Sequence, residues 1–231
     1  MTTEMITIHS PDGDFQAYRA APKGGSGPAI IVIQEIFGIN QVMRDICDDL
    51  AEQGYIAICP DLFWRIEPGI DITDQTQEEW DKAFDLFGKF DVDLGVKDIA
   101  TTLEHARRDS SNNKVGAIGY CLGGLLAYLT ACRTDVEASV GYYGVNIAKF
   151  LTEADNISGH LMLHIAGKDE FVYAAAQKAM HKGLDDQASV TLHDYPEQDH
   201  AFARQGGAHF DARAADLANT RSRAFLQAHI G

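Results

Sequence analysis

The chain has 231 residues, of which 45% are hydrophobic and 23% are charged, and this predicts one globular domain over residues 1–231. Its formal net charge of −15 argues against nucleic acid or an anionic membrane as a partner, because both bind basic patches. No apolar run approaches bilayer length and the first residues lack the pattern of a secretion signal, so we expect a cytoplasmic protein.

Apolar strand-like runs alternate with amphipathic helical stretches, which is typical of an α/β fold with a mainly parallel, twisted sheet and helices on both faces. In chain order we predict strands at 4–9, 15–20 and 29–34, a helix at 40–53, a strand at 55–59, helices at 75–88 and 91–108, a strand at 114–118, a helix at 123–132, strands at 137–143 and 160–165, a helix at 172–183, a strand at 189–194 and a helix at 209–228.

Four cysteines, Cys47, Cys59, Cys121 and Cys132, have neither a CxxC spacing nor a paired Cys/His ligand pattern. We therefore expect reduced thiols rather than a disulfide framework or a zinc site. Three of them are expected to be buried as small hydrophobic side chains.

The segment Gly119-Tyr120-Cys121-Leu122-Gly123-Gly124 joins the strand at 114–118 to the helix at 123–132. A strand, a tight Gly-x-nucleophile-x-Gly turn and a helix form the nucleophile elbow of the α/β-hydrolases, here with cysteine where serine is usual. We expect a strained backbone at Cys121, flanked by glycines because side chains there would collide with neighbouring elements. The start of the helix favours negative charge on the sulfur. The alternative interpretation is a buried structural thiol in a Gly-rich turn.

Two further strand ends carry reactive side chains. Asp169 follows the strand at 160–165, and His200 follows the strand at 189–194. The order nucleophile, acid, histidine is that of the α/β-hydrolases, and a histidine oriented by a carboxylate is a suitable base for a thiol. The alternatives are that Asp169 caps the next helix and that His200 has no special role.

Glu35 lies at the end of the first buried strand, where a carboxylate needs a partner. It could instead cap the helix at 40–53, although Asn40 is better placed for that. In an α/β-hydrolase fold the backbone N–H groups of Ile36 and Leu122 would form an oxyanion hole.

Five blocks of sequence resemble the dienelactone hydrolase (carboxymethylenebutenolidase) family, and the similarity runs from the first hairpin to the last helix. The blocks are Gln34-Glu35-Ile36-Phe37-Gly38, Cys59-Pro60-Asp61-Leu62, Gly119-Tyr120-Cys121-Leu122-Gly123-Gly124, Gly141-Tyr142-Tyr143-Gly144 and His200-Ala201-Phe202-Ala203-Arg204. The resemblance implies an α/β-hydrolase fold and a monomeric, cofactor-free enzyme that opens the ring of a small-molecule enol-lactone.

The resemblance also implies roles for individual residues. Cys121 would be the nucleophile, His200 the base, Asp169 the acid that orients it, and Glu35 the group that takes the thiol proton when substrate binds. The implied substrate-binding residues are Arg204, which would hold a substrate carboxylate, with Tyr143, Phe37, Trp80, Phe84 and Phe87.

The chain departs from the family pattern in its predicted pocket. Trp80 stands where the family has a second carboxylate-binding arginine, Phe84 and Phe87 lack a hydroxyl, and Ala201 replaces a serine. Because tryptophan cannot make the charge-assisted bonds of arginine, Lys82 or Arg65 would have to substitute for it.

These departures leave three hypotheses besides an enol-lactone hydrolase. The first is the same chemistry on less anionic, more apolar esters or lactones. The second is a redox sensor at Cys121, which is disfavoured because Cys132 lies about three turns along the next helix. The third is a binding module that retains the fold without the activity.

Overall fold

The computed structural model describes residues 1–231, and its residues group into two compact units, Met1–Val115 and Gly116–Gly231. The single domain predicted over residues 1–231 stays a prediction. No helix combines the length and the apolarity needed to cross a bilayer. All four cysteines are buried, including the three for which burial was predicted.

The first unit has strand order β1-β2-β4-β3. The β1–β2 and β2–β4 pairs are antiparallel, and β3–β4 is parallel. Its elements are β1 (Thr2–Ser10), β2 (Gly13–Ala21), β3 (Ala29–Ile33), α1 (Gln41–Glu52), β4 (Ile56–Pro60), α2 (Gln77–Lys89) and α3 (Val92–Asp109).

Local sequence explains the element boundaries in this unit. Ser10 pairs with Gly13 across the hairpin turn, and Asn40 caps α1 by accepting a hydrogen bond from the Met43 N–H at 3.2 Å. This confirms the expectation that Asn40, and not Glu35, begins the helix. Every residue of β3 and β4 is buried, as expected for parallel strands covered by helices.

The second unit has strand order β5-β6-β7-β8, and all three pairs are parallel. Its elements are β5 (Val115–Tyr120), α4 (Leu122–Arg133), β6 (Ala138–Tyr142), β7 (His160–Ala166), α5 (Ala174–Leu184), β8 (Val190–Tyr195) and α6 (Ala212–Ile230). The carboxyl ends of four neighbouring strands therefore meet at one edge, where ligands bind in folds of this kind.

Helices cover both faces of this second sheet, as predicted. Ser139 on β6 donates a hydrogen bond to the Ala127 carbonyl of α4 at 2.7 Å, whereas the Tyr142 hydroxyl donates to Asn219 of α6 at 2.9 Å. Residues three apart on a strand point to opposite faces, so α4 and α6 lie on opposite sides.

A buried histidine ties α6 to the sheet. His164 on β7 bonds the Tyr195 hydroxyl through Nδ1 and the Ser222 hydroxyl through Nε2, each at 2.9 Å. Burial lowers the pKa of His164 well below its usual value, and His193 and Arg221 lower it further by repulsion. His164 is therefore a neutral structural histidine.

Two features differ from the sequence prediction. The last helix begins at Ala212 rather than at 209, because Asp211 accepts hydrogen bonds from the N–H groups of Arg213 and Ala214 and so caps it. Short 3₁₀ segments at Ile147–Lys149 and Leu151–Asn156 were not predicted. Such segments are too short to show a sequence period.

His181 joins α5 to β8 and gives a pH-dependent prediction. Its Nδ1 contacts Asp185 at 2.9 Å and its Nε2 contacts Asp194 at 3.0 Å. The bond to Asp185 is the main cause that raises the pKa of His181, so this stabilisation is fully present below the unfolded pKa and is lost as pH rises through the folded pKa. We expect His181→Gln to lower Tm by about 1–2 °C at pH 6, as for a partly exposed pair. The difference should vanish at pH 9, and an equal difference at both pH values would contradict it.

Candidate active site

Cys121 lies between β5 and α4 with φ +56° and ψ −113°, a conformation that is strained for any residue other than glycine. Its N–H donates to the Tyr142 carbonyl at 3.1 Å, and its carbonyl accepts from Gly124, Leu125 and Val145 at 3.0–3.3 Å. These four bonds hold the strained turn in place. The strained backbone predicted at Cys121 is confirmed.

Gly124 packs too closely on neighbouring backbone to carry a side chain. A methyl group there would lie 2.6 Å from the Tyr142 carbonyl oxygen and 2.7 Å from Gly144 Cα. One at Gly144 would lie 2.7 Å from the Gly124 carbonyl carbon. The first turn of α4 therefore packs directly on the backbone that follows β6, and this sets the position of Cys121.

The helix that begins after Cys121 provides a positive environment for the sulfur. Residues Leu122–Cys132 of α4 are all buried, so solvent screens the helix dipole weakly. Gly124 and Leu125 make the first helical bonds to the Cys121 carbonyl. The N–H groups of Leu122 and Gly123 come before these bonds, at positions where a helix supplies no acceptor of its own. Leu122 thus has the backbone position expected of an oxyanion donor.

His200 and Asp169, which follow β8 and β7, are brought together at the strand ends. His200 Nδ1 lies 2.8 Å from Asp169 Oδ2, and both side chains are buried. Because an ionised carboxylate has no proton to give, Nδ1 carries the hydrogen. The other ring nitrogen, Nε2, is buried without a nitrogen or oxygen partner.

Asp169 has a second set of bonds on its other oxygen. Asp169 Oδ1 accepts from the N–H groups of Phe171 at 2.8 Å and Val172 at 3.2 Å. The expected alternative, a helix cap, is therefore only partly right, since Asp169 holds the turn before α5 and the N-cap position belongs to Tyr173. The same carboxylate fixes the loop and orients the imidazole.

Two interactions raise the pKa of His200 in this environment. Burial alone would lower its pKa, but the electrostatic interaction with Cys121 and the hydrogen bond to Asp169 outweigh burial and raise the pKa of His200 to about 10. Cys121 itself is 7% exposed. The imidazole is therefore held between the carboxylate of Asp169 and the side chain of Cys121.

Aromatic rings and a buried arginine surround this array. The Tyr143 ring, which has φ +37°, packs edge-on against His200 with ring centroids 5.1 Å apart. The Phe171 ring packs against His200 at 4.9 Å. Arg204 is buried in the turn after His200, where its backbone N–H donates to the Ala201 carbonyl at 3.0 Å.

The other predicted site residues belong to the first unit. Glu35 and Ile36 follow β3 and are both buried. Phe37 meets Trp80 edge-on at 5.1 Å, and Trp80 stacks on Phe84 at 5.5 Å.

Phe87, also predicted to bind substrate, makes no ring contact with this cluster. It is half-buried near the end of α2. The structure thus brings three of the five predicted aromatic residues, Phe37, Trp80 and Phe84, into one cluster.

Both predicted substitutes for the missing arginine are bound to carboxylates in the structure. Arg65 donates two bonds to the buried Asp98, at 2.9 and 2.7 Å, and one to Asp12 at 2.8 Å. Lys82 is paired with Glu67. The replacement of the second arginine by Arg65 or Lys82 stays a prediction.

Sequence reasoning missed Phe171, the exposed ring beside His200. Its position in the sequence could have indicated it, because it lies two residues after Asp169 in the loop that follows β7. Its contact with a ring 29 residues away depends on the fold.

Comparison with known proteins gives a consistent result. The family model for the dienelactone hydrolase family matches residues 15–230. A protein of Azospirillum brasilense is 49% identical over 99% of this chain and 100% of its own length. The carboxymethylenebutenolidase of Pseudomonas putida is 40% identical over 98% of this chain and 97% of its own length.

Solved structures agree with the sequence comparison. A crystal structure from Klebsiella pneumoniae has a TM-score of 0.86 at 26% identity and covers 98% of both chains. The predicted α/β-hydrolase fold is thereby confirmed. The chain belongs to the dienelactone hydrolase family and is an enzyme that hydrolyses carboxylic esters or lactones.

Proposed function

We propose that the protein is a cysteine-dependent hydrolase that opens an enol-lactone ring of the dienelactone type through a thioester intermediate. The observation that carries this proposal is the array of Asp169, His200 and Cys121 at three strand ends of one sheet. The relative from Pseudomonas putida, which is named a carboxymethylenebutenolidase, supports a butenolide ring as the substrate.

In the first step the Cys121 thiol passes its proton to His200 Nε2, and the sulfur attacks the lactone carbonyl carbon. A C–S bond forms, and the carbonyl electron pair moves onto oxygen, where the Leu122 N–H stabilises it and, as the family resemblance predicts, the Ile36 N–H does too. The ring C–O bond then breaks, and the leaving enol oxygen takes the proton from His200 Nε2. Because the ester is cyclic, the leaving group stays attached to the acyl chain.

A sulfur nucleophile favours this class of substrate. The tetrahedral intermediate expels the weaker base, and an alkoxide is a much stronger base than a thiolate. An intermediate from an alkyl ester therefore mostly returns to substrate, whereas an enolate or phenolate competes well with sulfur as leaving group. The nucleophile thus supports enol-lactones and aryl esters over alkyl esters.

In the second step water hydrolyses the thioester. Acylation of the sulfur removes the interaction with Cys121 that raises the pKa of His200, and the imidazole, neutral after the first step, accepts a proton from the attacking water. Breaking the C–S bond releases the carboxylic acid, and the sulfur takes the proton back from His200. The family resemblance implies a cofactor-free enzyme, and these steps are written with side chains and water alone.

Further parts of the proposal come from the family resemblance. The resemblance makes Glu35 the group that takes the thiol proton when substrate binds, which is an alternative to the transfer to His200 described above. It also implies a cytoplasmic monomer that acts on a small-molecule substrate and serves the breakdown of aromatic compounds. A redox sensor at Cys121 is less well supported. Burial raises the pKa of Cys132 to about 11, which makes that thiol a poor resolving nucleophile.

A second candidate is hydrolysis of less anionic, more apolar esters at the same nucleophile. It is favoured by Trp80, which stands in the place of the second arginine and donates its ring N–H to the Asp74 carbonyl at 3.0 Å. With Arg65 and Lys82 bound elsewhere, Arg204 is the remaining residue that the resemblance assigns to the substrate carboxylate.

Arg204→Met distinguishes the two candidates. We expect kcat/KM for a carboxylate-bearing enol-lactone to fall about 100-fold, the scale of lost charge-assisted hydrogen bonds. Turnover of phenyl acetate, which has no carboxylate, should change less than about threefold, and this also shows that the variant folds. Both values come from initial rates.

Arg223→Met, at an exposed position on α6, is the matched control and should leave both rates unchanged. Equal losses on both substrates in Arg204→Met would contradict the assignment of Arg204. A parent enzyme that strongly prefers the neutral ester would favour the second candidate over the first.

A further inference from the structure

Phe171 is an exposed aromatic residue in contact with the imidazole of His200. Its ring centroid lies 4.9 Å from that of His200, at an interplanar angle of 75°, yet 42% of the residue stays exposed. The Phe171 N–H donates to Asp169 Oδ1 at 2.8 Å, which ties this loop to the carboxylate that bonds His200. An exposed apolar surface therefore lies beside the proposed base.

The bonds of His200 indicate which part of a substrate comes near this surface. Nδ1 is occupied by Asp169, so Nε2 is the atom left to give its proton to the leaving oxygen. Substituents on that oxygen must lie close to the rings that pack on the imidazole. Tyr143 also packs there, at 5.1 Å, but only 2% of it is exposed. Of these two rings, Phe171 is the one with surface to offer.

We infer that Phe171 is a specificity residue that forms an apolar wall for the leaving-oxygen side of the substrate. The inference rests on the proposed function, since it assumes that His200 protonates the leaving oxygen. It narrows the substrate class to enol or phenol esters and lactones with a flat apolar group on that side. Burying such a group against an aromatic ring stabilises its transition state more than that of a substrate with a smaller leaving group.

Phenyl acetate and vinyl acetate provide the test. Both form the same acetyl-enzyme and both leave through an oxygen on an sp² carbon, so they differ mainly in the size of the leaving group. The measurement is the ratio of their kcat/KM values, which cancels any general damage to His200. We expect Phe171→Ala to lower the phenyl-to-vinyl ratio about tenfold.

Two further variants sharpen the result. Phe171→Gln keeps the bulk of the side chain but makes the wall polar, and should lower the ratio in the same direction. Tyr173→Ala is the matched control, because Tyr173 is an aromatic residue in the same loop, is 67% exposed and makes no ring contact with His200. Its ratio should stay within about twofold of the parent value.

The outcomes separate this inference from the proposed function. An unchanged ratio in both Phe171 variants, or an equal fall in Tyr173→Ala, would overturn the role of Phe171 while leaving the hydrolase intact. Absence of turnover on both esters by the parent enzyme would instead count against the proposed function. A lower ratio confined to the Phe171 variants supports the inference.

Discussion

The Cys121→Ala variant is expected to lose ester turnover, with kcat lower by about 10⁴-fold or more, as when other hydrolases lose their nucleophile. The reason is that no thioester can form without the sulfur, and the strained turn offers no other nucleophile in its place. Initial rates on phenyl acetate and on an enol-lactone measure the loss. Mass spectrometry of the parent enzyme should find the acetyl group on the peptide that contains Cys121.

Cys132→Ala is the matched control, since Cys132 is a buried thiol on the same helix without contact to His200. We expect it to keep activity within about threefold of the parent. Full turnover by Cys121→Ala would rule out the thioester mechanism. The Cys121→Ala variant should also show a lower pKa of His200 by NMR, because the interaction with Cys121 is one of the causes that raise it.

Asp169→Asn is expected to lower kcat/KM by about 10³- to 10⁴-fold, the range seen when the acid of such an array becomes an amide. The amide takes away the counter-charge of the imidazolium and no longer selects the tautomer with hydrogen on Nδ1. Asparagine can still accept the bonds from Phe171 and Val172 through its carbonyl oxygen, so the loop should stay folded. Kinetics report the role of Asp169 in orienting His200, and a thermal melt reports its role in holding the loop.

Glu170→Gln makes the same carboxylate-to-amide change at the neighbouring, exposed position and should leave turnover almost unchanged. A loss of less than about tenfold in Asp169→Asn would show that orientation of His200 is not needed. The pKa of His200 should also fall in this variant, because the bond to Asp169 is one of the causes that raise it.

Much of the fold could be predicted because local patterns specify it. The strand at 29–34 and the helix after Asn40 follow from an apolar run and a capping residue, and the structure has β3 at Ala29–Ile33 and α1 from Gln41. The positions of Cys121, Asp169 and His200 followed from the rule that ligands bind at the carboxyl ends of parallel strands. Each of these inferences needed only residues close together in the chain.

What was missed depends on contacts between distant residues. Arg65 was considered as a substrate ligand because its partner, Asp98, lies 33 residues away on another element. Gly124 has no room for a side chain because it meets Gly144, which belongs to the segment after the next strand. Phe171 gains its importance from a ring on a neighbouring loop. Spacing along the chain carries no signal for such pairs.

Three residues at the carboxyl edge of the second sheet, Cys121, Tyr143 and Ala201, have positive φ values of +56°, +37° and +62°. Each conformation would be relaxed by glycine, so a sequence chosen for thermal stability alone would place glycine there. Keeping side chains at these positions lowers stability but retains the nucleophile and two neighbouring side chains at the same edge of the sheet. During natural drift or laboratory selection, gains in robustness at this edge should therefore come with losses in turnover, and stabilising changes are better sought elsewhere in the chain.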